Sequence, residues 1–217
     1  MRSTIVLLSG GLDSTVALAD TLVHSPVAAA LTFDYGSKHA LREIACARRQ
    51  AQTMGVKHIV IPLAFIGTYF SSALLAGGEE IPEGSYDAEN MSRTVVPFRN
   101  GIMLSVAVGL AESLDAKGVV IAAHAGDHVI YADCRPAFLD AFAETASLGT
   151  DSHIEILRPF VHLDKAEIVA RGIALGVDFS HTWSCYRGGE TPCGNCSTCI
   201  ERKEAFVKNG IDDPGIP

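Results

Sequence analysis

Between Thr4 and Thr15 the chain reads Thr-Ile-Val-Leu-Leu-Ser-Gly-Gly-Leu-Asp-Ser-Thr, and this stretch constrains the fold more than any other. Residues 4–8 are apolar or β-branched without alternation, and they stop at Ser9, Gly10 and Gly11. An unbroken apolar run closed by glycines is how a strand covered on both faces ends. Asp13 and Ser14 then precede Val16, Ala17, Leu18 and Leu22 at helical spacing, so either is expected to cap a helix. A strand-to-helix turn of this kind aims backbone N–H groups and the positive end of a helix dipole at one spot. Two glycines let a bulky anion come close. The turn is expected to hold phosphate.

Gly-Gly between a strand and a helix is common in ordinary turns. The full string Ser-Gly-Gly-Leu-Asp-Ser, with hydroxyls on both sides and an acid inside, is not. It lacks the lysine of a Walker loop. It resembles the SGGxDS loop of the ATP pyrophosphatase superfamily, whose members split ATP between its α- and β-phosphates and adenylate a substrate oxygen.

The rest of the chain repeats the strand-then-helix rhythm. Strands are expected at 27–33, 57–63, 119–123 and 154–157. Helices are expected at 37–54, 102–114, 137–148 and 165–175, the last capped by Asp164. The alternation predicts an α/β, doubly wound, five-stranded parallel sheet, with ligands at the C-terminal strand ends. The pattern fails over 64–95, where Gly77, Gly78, Pro82 and Gly84 break it. An irregular excursion of that length is expected to be a lid, a binding loop or an interface, set against the simpler reading of a mobile surface loop.

Composition limits the partners. Acids outnumber bases 25 to 17, a net charge of −8, so a stable nucleic-acid complex is not expected. No apolar run reaches the roughly 20 residues of a membrane span, and the first strand begins almost at once, so a soluble cytoplasmic protein is expected.

Six cysteines are present, and four of them, Cys185, Cys193, Cys196 and Cys199, crowd into one glycine-rich loop. Such crowding in an intracellular chain points to a metal rather than to disulfides or free thiols. Four thiolates suit a closed structural zinc site. An iron–sulfur cluster takes the same ligands, and spacing alone does not separate the two. Zinc is favoured because nothing else in the sequence suggests redox work. The expected division is a nucleotide domain at 1–180 and a zinc-binding loop and helix at 181–217. Cys46 is read as a small core residue.

The phosphate loop, Pro97-Phe98-Arg99-Asn100, Asp127, the run Tyr131-Ala132-Asp133-Cys134-Arg135 and the cysteine cluster together resemble the 7-cyano-7-deazaguanine synthases, over nearly the whole chain. The resemblance implies an adenine nucleotide α-hydrolase-like fold. It also implies an ATP-dependent reaction that turns the carboxylate of 7-carboxy-7-deazaguanine into a nitrile with ammonia, in queuosine-type biosynthesis. Leu8, Ser9, Gly10, Gly11, Leu12, Asp13, Ser14 and Thr15 would bind ATP, with Asp13 acting through Mg²⁺. Asp13, Arg99, Asp127 and Lys165 would form the catalytic set, the two cations neutralising charge at the α-phosphate.

Tyr35, His39, Arg99, Asn100, Asp127, Tyr131, Asp133 and Arg135 would meet the deazaguanine or its carboxylate. His124, His128 and Trp183 are further candidates, whereas His24, His58 and His181 are expected on the surface. The family usually has glycine at the position of Phe98 and proline at that of Ala132, and both departures are expected to reshape the pocket. A homodimer is expected. Competing readings are another ATP pyrophosphatase, such as a tRNA thiolation enzyme or an amide ligase, and a non-catalytic zinc-bearing module. A thiolation enzyme should carry a catalytic cysteine pair and a basic face.

Overall fold

A computed structural model describes residues 3–85 and 91–215. Five parallel strands, β1 (Thr4–Leu7), β2 (Val27–Asp34), β3 (His58–Pro62), β4 (Gly118–Val120) and β5 (Glu155–Leu157), form one sheet in the order β3-β2-β1-β4-β5. The chain winds outward from β1 to β3, then restarts beside β1 with β4. The order therefore reverses between β1 and β4, and a crevice opens at their C-terminal ends.

Alternate residues of each strand serve different faces. Ile5, Leu31, Phe33 and Val119 belong to one apolar core, and Val6, Leu8, Ala30 and Val120 to the other. Helices α1 (Leu12–His24), α2 (Ala40–Thr53), α6 (Lys165–Ala174) and α7 (Ser197–Lys208) cover the second core. Helices α3 (Ala64–Tyr69), α4 (Arg99–Ser113) and α5 (Pro136–Leu148) cover the first. Asp164 caps α6 as expected, accepting from the Glu167 N–H at 2.8 Å while Glu167 accepts from the Asp164 N–H at 2.7 Å.

Three expectations are corrected. Helix α1 begins at Leu12 with Gly11 as its cap, and no side chain caps it. Asp13 and Ser14 lie past the cap position, inside the first turn, and the Ser14 hydroxyl donates back to the Gly11 carbonyl at 3.1 Å.

Of the two readings of the 64–95 excursion, the free surface loop is the one that fails, because its apolar residues are packed. Ala73, Leu74, Leu75, Ile81 and Met91 are buried in the first core, Ser37 bridges to Leu75, and Glu83 bridges to Cys196. Only 86–90 lie outside the described residues. Its glycines and proline hid a segment that is laced to the end of β2 and to the cysteine loop.

Helix α4 starts three residues early, because Phe98 adopts φ 51°, ψ 28° and turns the chain into it. A bulky residue in the left-handed region is strained. That geometry suits the glycine usual in the family. The Phe98 ring lies over Gly101, where a Cβ would meet it at 2.4 Å, and packs edge-on against Phe138 at 5.7 Å. Its side chain is exposed and does not line the crevice, nor does that of Ala132, exposed in a 3-10 turn, so neither side chain forms the pocket wall as expected.

Candidate active site

A cavity of about 230 Å³ occupies the crevice at the switch between β1 and β4. Leu8, Ser9, Gly11, Leu12, Asp13 and Ser14 form one wall. The two serine hydroxyls are 3.0 Å apart, and Ser9 Oγ accepts from the Gly11 N–H at 3.1 Å. With no side-chain cap on α1, the start of the helix is left for an anion. Gly10 and Thr15 do not line the cavity. Gly10, at φ +89°, is needed because a Cβ there would come within 2.3 Å of the Glu43 carbonyl oxygen on α2. The Thr15 hydroxyl bonds back to Gly11 at 2.8 Å.

Behind this wall, Lys165 at the start of α6 lies 3.3 Å from Asp13 Oδ2 and 2.7 Å from Glu201 Oε2. Burial disfavours the lysine's charge, but Asp13, Glu201 and Asp127 outweigh it and raise its pKa well above the ordinary value. Burial likewise opposes ionisation of Asp13, yet Lys165 and His124 hold its carboxyl below the usual range. Asp13 is thus an anion with one oxygen spoken for, while Oδ1 is buried without a hydrogen-bond partner. A hard divalent cation beside phosphates would take such an oxygen, so the residues present fit Mg²⁺. His124 and Asp127 follow β4, and the Asp127 carboxylate lies 3.6 Å from His124 Nε2.

The opposite end is built around Arg99. Its Nη1 donates to the Tyr35 hydroxyl at 3.3 Å, and its guanidinium carbon lies 5.7 Å from the centre of that ring. Tyr131 and Tyr186 lie nearby, 3.2 Å apart through their hydroxyls, with Thr94 completing the chain at 3.1 Å from Tyr131. Burial alone would weaken the arginine's charge, but the phenols and Cys134 around it raise its pKa further. Among the described residues no carboxylate lies within ion-pair distance of Arg99.

Tyr35, His39, Asn100, Asp127 and Tyr131 also reach this cavity, as does Trp183. Asp133 and Arg135 do not. The Asp133 carboxylate accepts from the Asn100 N–H at 2.8 Å and so steadies the first turn of α4, and Arg135 Nε donates to the His128 carbonyl at 2.9 Å on the exposed surface. His128 is likewise outside the cavity. Sequence reasoning missed Glu43, Tyr186, Glu201 and Arg202. The four-residue step from His39 to Glu43 along a predicted helix was a readable signal, because it stacks the two on one face. The others sit one to three residues from metal-type cysteines and had no signal of their own.

The sulfurs of Cys185, Cys193, Cys196 and Cys199 all lie within 4.8 Å of one another. A tetrahedral ion with metal–sulfur bonds of about 2.3 Å needs sulfurs about 3.8 Å apart, so the cluster fits one. Backbone N–H groups of Cys193 and Cys196 point at the sulfurs of Cys185 and Cys193, each at 3.4 Å. Such bonds steady thiolates. The cluster is tied to the cavity wall: the Trp183 N–H donates to the Gly10 carbonyl at 2.9 Å, and the Thr198 hydroxyl to the Ser184 carbonyl at 2.8 Å. Arg202, 2% exposed, clamps the same segment by pairing with Asp213 at 2.6 Å and donating to the Thr182 hydroxyl at 2.8 Å.

Known proteins share this fold and, in some cases, much of the sequence. The fold is similar to that of NMN synthetase from Francisella tularensis, at TM-score 0.52 and 14% identity over 97% of this chain and 78% of that one. It is also similar to the U34-tRNA thiolase NcsA from Methanococcus maripaludis, at TM-score 0.51 and 12% identity over 96% and 66%. At such identities the likeness concerns the fold alone. Relatives called 7-cyano-7-deazaguanine synthase are much more similar. The one from Desulfotalea psychrophila is 54% identical over 95% of this chain and 94% of its own length. One from Porphyromonas gingivalis is 50% identical over 98% and 96%, and one from Hahella chejuensis 42% over 97% and 90%. The family model described as queuosine biosynthesis protein QueC matches residues 3–210, and the chain belongs to that family.

Proposed function

We propose that the protein makes 7-cyano-7-deazaguanine from 7-carboxy-7-deazaguanine, ammonia and ATP. The observation that carries this reading is Arg99: a mostly enclosed guanidinium with no carboxylate partner among the described residues, in the same cavity as a phosphate-type loop. A planar fork in that setting suits a substrate carboxylate. The names of the near-full-length relatives supply the product, 7-cyano-7-deazaguanine, and the matching carboxylate is the acid we infer as its precursor.

The substrate carboxylate, held by Arg99, attacks the α-phosphate of ATP, and pyrophosphate leaves toward the uncapped start of α1. Lys165 faces the charge that builds on the phosphoryl oxygens, where a preorganised cation is worth most. Mg²⁺, held by Asp13, supplies further charge neutralisation when bound. Ammonia displaces AMP to give an amide. The amide oxygen then attacks a second ATP in the same site, and loss of that AMP leaves the nitrile. Both oxygens are poor leaving groups until adenylated, so one site serves twice. Asp127 accepts from the N–H edge of the deazaguanine, and Tyr35 and Tyr131 pack against its rings.

Zinc is the proposed occupant of the cysteine cluster, which braces residues 181–217 against the nucleotide domain at 1–180. The protein is further read as a cytoplasmic homodimer that does not bind nucleic acid stably. Its contact would use α4 and the 64–95 region, where Phe65, Tyr69 and Phe98 remain exposed. No helix among the described residues is long and apolar enough to cross a membrane. Incubation with the acid, ATP, Mg²⁺ and ammonium should yield two AMP per nitrile, and Asp13→Ala should abolish both products. AMP formed only with another acid, or only with tRNA, would remove the substrate assignment.

A further inference from the structure

Helix α2 brings a pair of side chains into the cavity for which the reaction above has no role. His39, the cap residue of α2, and Glu43 in its first turn are four residues apart, and both line the cavity that holds Arg99 and the phosphate loop. His39 is 2% exposed, and its Nδ1 lies 3.1 Å from the Tyr186 carbonyl oxygen. A carbonyl oxygen only accepts, so Nδ1 carries the N–H. Nε2, the nitrogen left with the lone pair in neutral imidazole, lies 3.6 Å from Glu43 Oε2. At 3.6 Å the two groups are in ion-pair contact, and an approach of about half an ångström would make the hydrogen bond through which a proton passes, while the other carboxyl oxygen of Glu43 is not engaged by His39.

The charged and titratable groups facing Glu43 are His39, Arg99 from α4, the Tyr35 phenol beyond β2 and the Cys46 thiol one turn along α2. Burial pushes the Glu43 carboxyl up, and His39 and Arg99 offset that only in part. The other acids of the cavity are committed: Asp13 faces Lys165, and Asp127 faces His124. The chemistry needs a base, because every N–H bond of the incoming ammonia must break before the nitrile exists.

We propose that Glu43, oriented by His39, is the catalytic base that removes these protons; the assignment rests on the function proposed above. In the amide-forming half, the ammonia lone pair forms the C–N bond, AMP leaves with the C–O electron pair, and an N–H proton passes to Glu43. In the dehydrating half, two N–H bonds break in turn. Their electron pairs remain on nitrogen, one of them becoming a new C–N bond as AMP departs, and the protons again pass to Glu43 and on through His39. No other reactant is consumed. Glu43 is a catalytic residue in this scheme, and His39 is a positioning residue.

The test separates adenylation from the nitrogen chemistry in the full-length protein. ATP–pyrophosphate exchange driven by the acid without ammonium reads the first, and amide and nitrile formation with ammonium reads the second. For Glu43→Gln, exchange should stay within about threefold of the parent while nitrile formation falls by about 100-fold or more. Glu43→Asp should recover part of the loss. His39→Asn, whose amide nitrogen takes the place of Nδ1 and can still donate to the Tyr186 carbonyl, should lose about tenfold in nitrile formation alone. A purely structural role would lower exchange and nitrile formation together. Equal loss of both in Glu43→Gln and Glu43→Asp, a raised KM for the acid as the sole effect, or no effect would overturn the assignment. A parent protein that makes no nitrile would overturn the functional reading itself.

Discussion

The two ends of the cavity hold their cations in opposite ways. Lys165 sits between two carboxylates, at 2.7 and 3.3 Å, whereas Arg99 sits among phenols, and among the described residues no carboxylate lies within ion-pair distance of it. The first cation is fully compensated before any ligand arrives, so it is fixed in place. The second has phenols, a ring face and the more distant Glu43 carboxylate around it, none of them paired with its fork, so under the proposed function a substrate carboxylate would complete its coordination. Under the proposed function, one end would serve phosphoryl transfer and the other recognition.

Removing the compensated cation should cost most. Lys165→Ala leaves Asp13 and Glu201 facing each other without a counter-charge beside the phosphates. Acid-dependent ATP–pyrophosphate exchange should fall by about 1,000-fold. A loss below tenfold would mean that Lys165 is a structural ion pair. Arg99→Lys keeps the charge but not the fork. Steady-state kinetics should show KM for the acid rising by roughly 10- to 100-fold with a smaller change in kcat. The reverse split would place Arg99 at the α-phosphate instead and erase the contrast.

The brace comes next. Chelating the metal, or Cys199→Ser, releases the segment whose Trp183 and Ser184 dock on the phosphate loop and on α7. A loss of about 3 kcal/mol corresponds to a fall of roughly 10 °C in the thermal midpoint, readable by calorimetry. Elemental analysis should return zinc. Iron with visible absorbance would replace zinc with a cluster.

Stability against pH should distinguish two acids of the cavity. The folded-state pKa of Asp13 is depressed by Lys165 and His124 against burial, so its contribution is present above the unfolded value and is lost as pH falls through the folded one. That of Glu43 is raised by burial, so folding loses stability as pH climbs from the unfolded value to the folded one. At neutral pH, Asp13→Asn should therefore lower the thermal midpoint and Glu43→Gln should leave it unchanged or raise it. Denaturation of both variants at pH 4 and pH 7 checks the opposite signs.

Much of this was legible in the residues. The first, second and fourth strands announced themselves by apolar runs ending in polar or glycine residues, and the phosphate-type loop and the cysteine cluster stood out by spacing. The excursion did not, since its glycines and Pro82 read as loop although Leu74, Leu75 and Met91 are buried in the core. Contacts made between distant segments leave no local pattern, which is why Glu201 beside Lys165 and Tyr186 beside His39 went unseen. Asp133 and Arg135 misled for the converse reason: a charged pair in a motif fits a substrate as well as it fits a helix cap and a surface bond.

The smallest expected effect concerns Phe98. Phe98→Gly removes a strained left-handed residue that lies outside the cavity, so kinetics at both ends should be unchanged. The thermal midpoint should rise by an amount worth about 1 kcal/mol or less. Altered kinetics would show that the departure from glycine tunes the Arg99 end after all.

The central claim, that one site activates both oxygens of one carboxylate, is tested most directly by labelling those oxygens with ¹⁸O. Each nitrile should be accompanied by two AMP molecules, each carrying one label, with pyrophosphate unlabelled. Label in water, or in only one AMP per nitrile, would contradict it.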